Sequence, residues 1–295
     1  MDIRQLKYFD SLVRNKKFTK AAEELFISQP SLTNMIKKLE KELGFKLFER
    51  TTREISLTES GELFYKHTQN IMQVYDLTLK EMEEIKFVGK GKITIAVLES
   101  SNFWLPKVIK TFAEKYRELK INFKNIIFWE DVEKALLNYD IHFAITNHQT
   151  NNPNLVHYEL YQDELIILLP ETHHLSKKRA VAFNDLKDEI FINFSKGFQI
   201  REDFLKLCLE AGFNPKSIYE VNDFDAVCSL VENELGIALM PESYFKYAPQ
   251  KLEKLSYTRI KDPTPTRSVY ISFHKQRYLT PATHDLITLV KKFFE

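Results

Sequence analysis

Seven consecutive residues, Ser28-Gln29-Pro30-Ser31-Leu32-Thr33-Asn34, crowd hydroxyl and amide side chains into what reads as the first turns of a helix. Leu32, Ile36, Leu39 and Leu43 form an apolar stripe at helical spacing, which turns Gln29, Ser31, Thr33 and Asn34 outward. Short polar and amide groups in that position can hydrogen-bond the edges of DNA bases, with Gln and Asn best matched to adenine. Base readout is therefore expected from Gln29, Pro30, Ser31, Thr33 and Asn34. Lys37, Lys38 and Lys41 follow on the same helix, and further cations and hydroxyls flank it. Contacts to the phosphate backbone are expected from Arg4, Lys20, Ser28, Lys37, Arg50, Thr52 and Arg53.

The elements that must hold these residues can be read from periodicity. Leu6, Phe9, Leu12 and Val13 make one helical stripe, and Phe18, Ala21, Ala22 and Leu25 a second. With the third helix they form a small trihelical core. Ser28 is a good N-cap, Pro30 suits a first turn, and Gly44 suits the stop. From Phe48 to Leu57, apolar and β-branched residues on either side of a polar tip predict a two-stranded wing. Thr58 then caps a helix from Glu59 to about Phe87, on which Phe64, Ile71, Val74, Thr78, Met82 and Ile85 keep near-heptad spacing. That seam predicts a dimerisation helix, with Phe64, Ile71, Val74, Met82 and Ile85 as its contacts.

Gly89-Lys90-Gly91-Lys92 reads as a linker, and the pattern changes after it. Short β-rich runs (Ile93–Val97, Ile121–Ile126, Ile141–Ile145, Leu165–Leu169, Ile190–Asn193, Ile218–Val221, Ile237–Met240 and Ser268–His274) alternate with helical stretches, the last starting at Pro281. Such alternation predicts an α/β region with a mainly parallel sheet. About 200 residues fit two subdomains joined by crossover strands better than one sheet.

Composition excludes several classes. The chain has 295 residues, 44% of them hydrophobic, and its 42 Lys and Arg nearly balance 41 Asp and Glu, so a uniformly basic coat is ruled out. Residues 1–66 carry 13 basic against 10 acidic side chains, a modest local excess. The seven glycines make no dinucleotide-binding or P-loop spacing. Cys208 and Cys228 lie in helical patterns without a Cys-x-x-Cys partner and read as core. His173 and His174 fall in a surface loop; His142 and His148 flank a strand end with no carboxylate at ligand spacing, so no metal site is expected. No catalytic triad or carboxylate pair can be placed, and neither a catalytic site nor a cofactor is expected. The first residues lack the unbroken apolar stretch of a signal peptide or membrane anchor, which predicts a cytoplasmic protein.

Ile3-Arg4-Gln5-Leu6-Lys7-Tyr8-Phe9, Phe18-Thr19-Lys20-Ala21-Ala22-Glu23-Glu24-Leu25, Ser28-Gln29-Pro30-Ser31-Leu32, Leu39-Glu40, Leu43-Gly44, Leu47-Phe48-Glu49-Arg50 and Leu57-Thr58-Glu59-Ser60-Gly61 resemble the head of a LysR-type transcriptional regulator. Farther on, Ala211-Gly212-Phe213-Asn214-Pro215, Glu220 and Gly236-Ile237-Ala238-Leu239-Met240-Pro241 are similar to family positions. The resemblance implies an α/β protein with an N-terminal winged helix-turn-helix (1–58), a linker helix (59–88) and a two-lobed effector domain like the periplasmic binding proteins (92–295). Lobe I would hold 92–162 and 268–295, lobe II 163–267. Its implied partners are double-stranded promoter DNA, a small-molecule effector, further copies of itself as dimer or tetramer, and RNA polymerase, with no membrane. The family commonly has an arginine where Asn34 stands; without bidentate guanine readout, the operator is expected to be richer in A·T there.

The resemblance also implies a cleft between the lobes. Ser100, Ser101 and Asn102 after the first strand, with Thr146 and Asn147, would line one side, where a helix N-terminus favours an anion. Ser195, Lys196, Asn222 and Asp223 would line the other. The rival is a solute-binding protein whose helices only mediate association, and it would require secretion. An α/β enzyme with a helical extension would need a catalytic constellation. Gln29→Ala and Thr33→Ala are expected to cost about 1–3 kcal/mol on a specific operator and little on random DNA, whereas Arg53→Ala should weaken both and flatten the salt dependence. Binding titrations on the two DNAs check this, and equal losses for Gln29→Ala would remove it from base readout.

Overall fold

The computed structural model describes residues 1–50, 55–86, 91–247 and 254–295, which divide into two compact units, Met1–Glu83 and Glu84–Glu295. The expected backbone contacts Thr52 and Arg53 lie outside the described residues, as does the Arg50 side chain.

In the first unit, helices α1 (Ile3–Asn15), α2 (Phe18–Glu24) and α3 (Gln29–Leu43) precede a hairpin of β1 (Phe48–Arg50) and β2 (Ile55–Leu57), then the 28-residue α4 (Glu59–Lys86), whose last residues from Glu84 on belong to the second unit. Asp2 and Gln5 close a reciprocal capping box on α1, each side chain accepting the other's amide at 2.8 Å. Ser28 caps α3 by accepting from the Ser31 amide, and Gly44 ends it at φ +84°. Phe9, Leu12, Leu32, Ile36 and Leu39 are fully buried between the helices. Gly61 is required where α4 starts, because a Cβ there would lie 2.1 Å from the Leu47 carbonyl oxygen.

The wing is fixed to α3 by a buried carboxylate. Glu40, 4% exposed, accepts from the Leu47 amide at 3.0 Å, the Phe48 amide at 3.4 Å and the Lys46 ammonium at 3.0 Å. Burial alone would raise the Glu40 pKa; the Lys46 and backbone hydrogen bonds outweigh it and hold the carboxyl below its ordinary value.

In the second unit, β3 (Lys92–Val97) pairs in parallel with β4 (Lys120–Asn125) and β5 (Phe143–Thr146), with α5 (Leu105–Lys115) and α6 (Trp129–Leu137) in the connections. The next strand, β6 (Leu155–Pro170), is sixteen residues long. It is followed by β7 (Ala180–Ala182), β8 (Ile190–Phe194), α7 (Gln199–Glu210), β9 (Lys216–Val221), α8 (Phe224–Glu232), β10 (Ala238–Pro241), α9 (Glu242–Tyr247), β11 (Leu255–Lys261), β12 (Thr266–His274) and α10 (Pro281–Lys292).

The sheet is mixed, where strand–helix alternation predicts a mainly parallel one. Strand β12 runs antiparallel to β5 and to the first part of β6, while β10 and β11 run antiparallel to its last part. Strand β6 thereby serves two cores. One gathers Ile95, Trp104, Phe112, Phe143, Ile271 and Leu286; the other gathers Ile167, Phe191, Phe204, Val227, Met240 and Tyr244. Only Leu165–Leu169 is legible as strand in the sequence, because Tyr158, Glu159, Gln162, Asp163 and Glu164 break up the apolar pattern earlier in β6. Both cysteines are buried on α7 and α8, and burial pushes the Cys208 thiol up to about 12, as expected of core residues.

Glu40→Gln is expected to destabilise the chain by about 1–3 kcal/mol, because it leaves buried amide donors facing a weaker acceptor. The depressed pKa makes this contribution present above the ordinary carboxylate pKa and lost as pH falls through the lower folded value. Urea unfolding of full-length protein should therefore show the gap between wild type and Glu40→Gln shrinking on acidification; a gap that stays constant would exclude the charge as its source.

Candidate nucleic-acid interface and a buried pocket

Helix α3 presents its first turns outward. Gln29, Pro30, Ser31 and Asn34 are exposed and Thr33 is half-buried, with Lys37, Lys38 and Lys41 exposed farther along. Arg4, Lys16, Lys17, Lys20 and Ser28 are also exposed. Gln29 and Thr33 are coupled: the Thr33 hydroxyl donates to the Gln29 carbonyl at 3.0 Å and accepts from the Gln29 side-chain amide at 3.1 Å. The Thr33 hydroxyl is thus already engaged within the helix, and it orients Gln29. Phe26 stands 94% exposed at φ +54° in the turn before α3.

On α4 the structure separates the expected seam residues. Phe64 packs into the head core against Phe9, ring centroids 5.0 Å apart, so it is not free to meet a partner. Ile71, Val74, Met82 and Ile85 are exposed, Val74 by 64%. Gly61 and Thr68 are the buried residues of the helix.

Within the second unit, a pocket of about 490 Å³, solvent at its mouth included, opens between the two cores. Ser100 and Asn147, both expected there, line it together with Leu98, Asn125, His148, Gln199, Phe224 and Arg267. The other expected residues are not among its lining. Ser101 turns its hydroxyl back to the Leu98 carbonyl at 2.5 Å, and the Thr146 hydroxyl accepts from the His148 amide at 3.1 Å. Asp223 accepts from the Ala226 amide at 2.7 Å and caps α8. Asn102, Lys196 and Asn222 are exposed, and Ser195 is half-buried. Caps and turns therefore account for several of these side chains, as their residue types favour.

The charge in the pocket lining comes from Arg267, which the sequence does not single out. Arg267, on β12, has a side chain 9% exposed; its Nη2 donates to Ser100 Oγ at 3.2 Å and to Asp163 Oδ2 at 3.4 Å. Its Nε is buried with no partner among the described residues. His148 stacks on Trp129 at 5.5 Å, and burial lowers its pKa, which keeps the ring neutral at neutral pH. On α7, Gln199 donates to Asp203 Oδ1 at 3.1 Å, while the other Asp203 oxygen is buried with no partner among the described residues. Burial raises the Asp203 pKa, partly offset by Gln199 and Arg267. Gly197, at φ +103°, packs against Phe128: a Cβ would lie 2.5 Å from its ring.

The histidines also find acids invisible in the sequence. Glu84 lies 3.4 Å from His142 Nε2 and accepts from Arg277 at 2.5 Å, while Glu189 faces both His173 and His174. Glu84 is 58 residues from His142 in the chain, so sequence spacing does not show this neighbour. Among the described residues, no helix is long and apolar enough to cross a membrane.

Residues 3–62 match the bacterial regulatory helix-turn-helix protein, lysR family, and residues 88–295 match the LysR substrate binding domain. The chain is 32% identical to the transcriptional dual regulator GltC of Bacillus subtilis (strain 168), over 100% of this chain and 98% of that protein. Full-length BenM superposes with a TM-score of 0.60 at 26% identity, covering 100% of this chain and 97% of that one. The regulatory domain of Synechocystis CcmR in complex with 2-PG covers 70% of this chain and 98% of its own, with a TM-score of 0.63 and 18% identity, a likeness of fold. The chain belongs to the LysR family of bacterial transcriptional regulators.

Proposed function

We infer that this regulator binds promoter DNA sequence-specifically as a dimer or a pair of dimers, and that a small anion held at Arg267 controls it. The observation that carries the effector reading is the Arg267 guanidinium, nine-tenths buried at the pocket with an unpartnered Nε. A buried cation with an unused donor favours an anionic ligand group, and a charged partner makes the stronger hydrogen bond. The CcmR regulatory domain in complex with 2-PG supports a small ligand in this fold. Ser100, Asn147 and Gln199 would fix the ligand's orientation through their hydrogen-bonding groups. No catalytic role is assigned to the pocket, and the solute-binding alternative leaves the regulatory head without a task.

DNA reading is assigned to the exposed start of α3, with Gln29 held by Thr33, Asn34 favouring adenine, and Arg4, Lys20 and Lys37 on phosphates. Pairing of two heads is assigned to the exposed stripe Ile71, Val74, Met82 and Ile85 on α4, which would cover apolar surface that a single chain leaves in water. RNA polymerase is the partner through which a promoter-bound regulator would act.

Two outcomes are expected. Ile71→Lys combined with Met82→Lys should reduce the oligomer and weaken operator binding together; sedimentation showing an unchanged assembly would remove the stripe from the interface. Arg267→Lys, which keeps the charge opposite Asp163 but loses the fork, and Ser100→Trp, which fills the pocket, should leave operator binding intact. Each should raise the effector concentration for half-maximal response roughly tenfold or more, the equivalent of about 1.5–3 kcal/mol for one charge-assisted hydrogen bond. Mass spectrometry of small anions retained from a cell extract by full-length protein supplies the ligand. Equal retention by both variants would place the anion elsewhere.

A further inference from the structure

Away from the pocket, the turn after β6 and the residue that precedes β8 bring two imidazoles and a carboxylate to one point. His173 and His174 are neighbours in the chain, with ring centroids 4.5 Å apart and planes tilted by 33°. Glu189 turns one oxygen to each of them: His173 Nε2 lies 3.4 Å from Oε2, and His174 Nε2 lies 3.7 Å from Oε1. The three donor atoms lie within 4.8 Å of one another, and no other group of three histidine, cysteine or acidic ligands converges this way among the described residues.

We propose that His173, His174 and Glu189 form a binding site for a divalent transition cation of the zinc class. Zinc held tetrahedrally at about 2.0–2.2 Å by nitrogen and oxygen ligands sets those ligands roughly 3.3–3.5 Å apart. The His173–Glu189 pair already has that spacing at 3.4 Å. His174, 68% exposed, can rotate to close the rest, whereas His173 and Glu189, 16% and 22% exposed, form the fixed part of the site. The backbone of the turn is itself braced, His173 N donating to the Pro170 carbonyl at 3.0 Å and Ser176 N to the His173 carbonyl at 2.9 Å.

The surroundings favour a cation. Asp188, Glu189 and Glu234 line the adjoining depression, with Thr172 donating to Glu234 at 2.7 Å. Lys216, 3.8 Å from Asp188, offsets part of that charge. Two imidazoles with one carboxylate suit zinc, copper, nickel or cobalt rather than magnesium or calcium, which prefer oxygen ligands. A three-ligand set leaves the fourth position to water. Metal on His173 Nε2 requires a proton on Nδ1, so the long 3.3 Å contact from the Leu175 amide to Nδ1 would be given up. In exchange the ion would tie the turn after β6 to the start of β8.

The test uses tag-free, chelator-stripped full-length protein in a non-coordinating buffer. Titration with Co²⁺ should give visible ligand-field bands at one equivalent, and Zn²⁺ should displace them. Zn²⁺ should also raise the melting temperature of the wild type. His173→Ala and Glu189→Gln should each weaken Zn²⁺ binding at least tenfold and abolish that rise, while His284→Ala, on an exposed position of α10, should change neither. His174→Ala, altering only an exposed side chain, keeps the test decisive if the half-buried variants fold poorly, and it should weaken binding as well. Absence of Co²⁺ and Zn²⁺ binding at micromolar metal, or binding undiminished in His174→Ala, would overturn the proposal and leave a histidine–glutamate contact.

Discussion

Arg267 and Asp163 face each other across β12 and β6, directly paired in register and both nearly out of contact with water. A buried carboxylate is tolerated only if charge and hydrogen bonds compensate it. Asp163 obtains both: the Ser243 amide at 3.0 Å, the Ser243 hydroxyl at 2.6 Å and the Arg267 guanidinium. This pair lies where β6 passes from pairing with β12 to pairing with β10 and β11. The start of α9 is attached there through Ser243, and Ser100 through the second contact of Arg267. The polar side of the pocket thus follows from strand register. A slip of one residue would turn Arg267 to the opposite face of the sheet and leave Asp163 buried without a cation.

The head solves a related problem on a smaller scale. Its wing is too short to stand alone, and its two three-residue strands borrow stability from Glu40, whose carboxylate takes two amides at the entry to the hairpin. With the wing fixed from inside, the outer surface of α3 is left free for polar and basic side chains. Gly61 completes the arrangement by letting α4 approach the Leu47 carbonyl, which also accepts the Thr58 amide.

In both units the decisive groups are ionisable side chains placed among apolar neighbours. Among the described residues this leaves Arg267 Nε, on the pocket lining, and Asp203 Oδ2, beside the lining residue Gln199, without a hydrogen-bond partner. A buried polar atom without a hydrogen bond costs stability. The lowered pKa of His148 has the same origin, since burial withholds the water that would support its charge.

The helices of the head, the caps at Ser28 and Gly44, the wing and the long helix are all legible in the sequence. Each rests on residues within a few turns of one another, so periodicity and capping chemistry are enough. Most of the α/β strands are legible for the same reason, as short β-branched runs. The full length of β6, the strands β7 and β11, and helix α9 are not. Their identity depends on partners far along the chain, as β6 shows by carrying charges and tyrosines that only its neighbours make tolerable. The pocket divides the same way. Ser100 and Asn147 can be guessed from their place after strands, yet so can Ser101 and Asp223, which the fold uses for its own turns and caps. Arg267 meets Asp163 across 104 residues, and Glu189 meets two histidines across a turn and a strand. Sequence determines most of the helices and strands, because those preferences are local. Which charges meet inside is decided by tertiary structure, since it depends on register and on the direction each side chain takes.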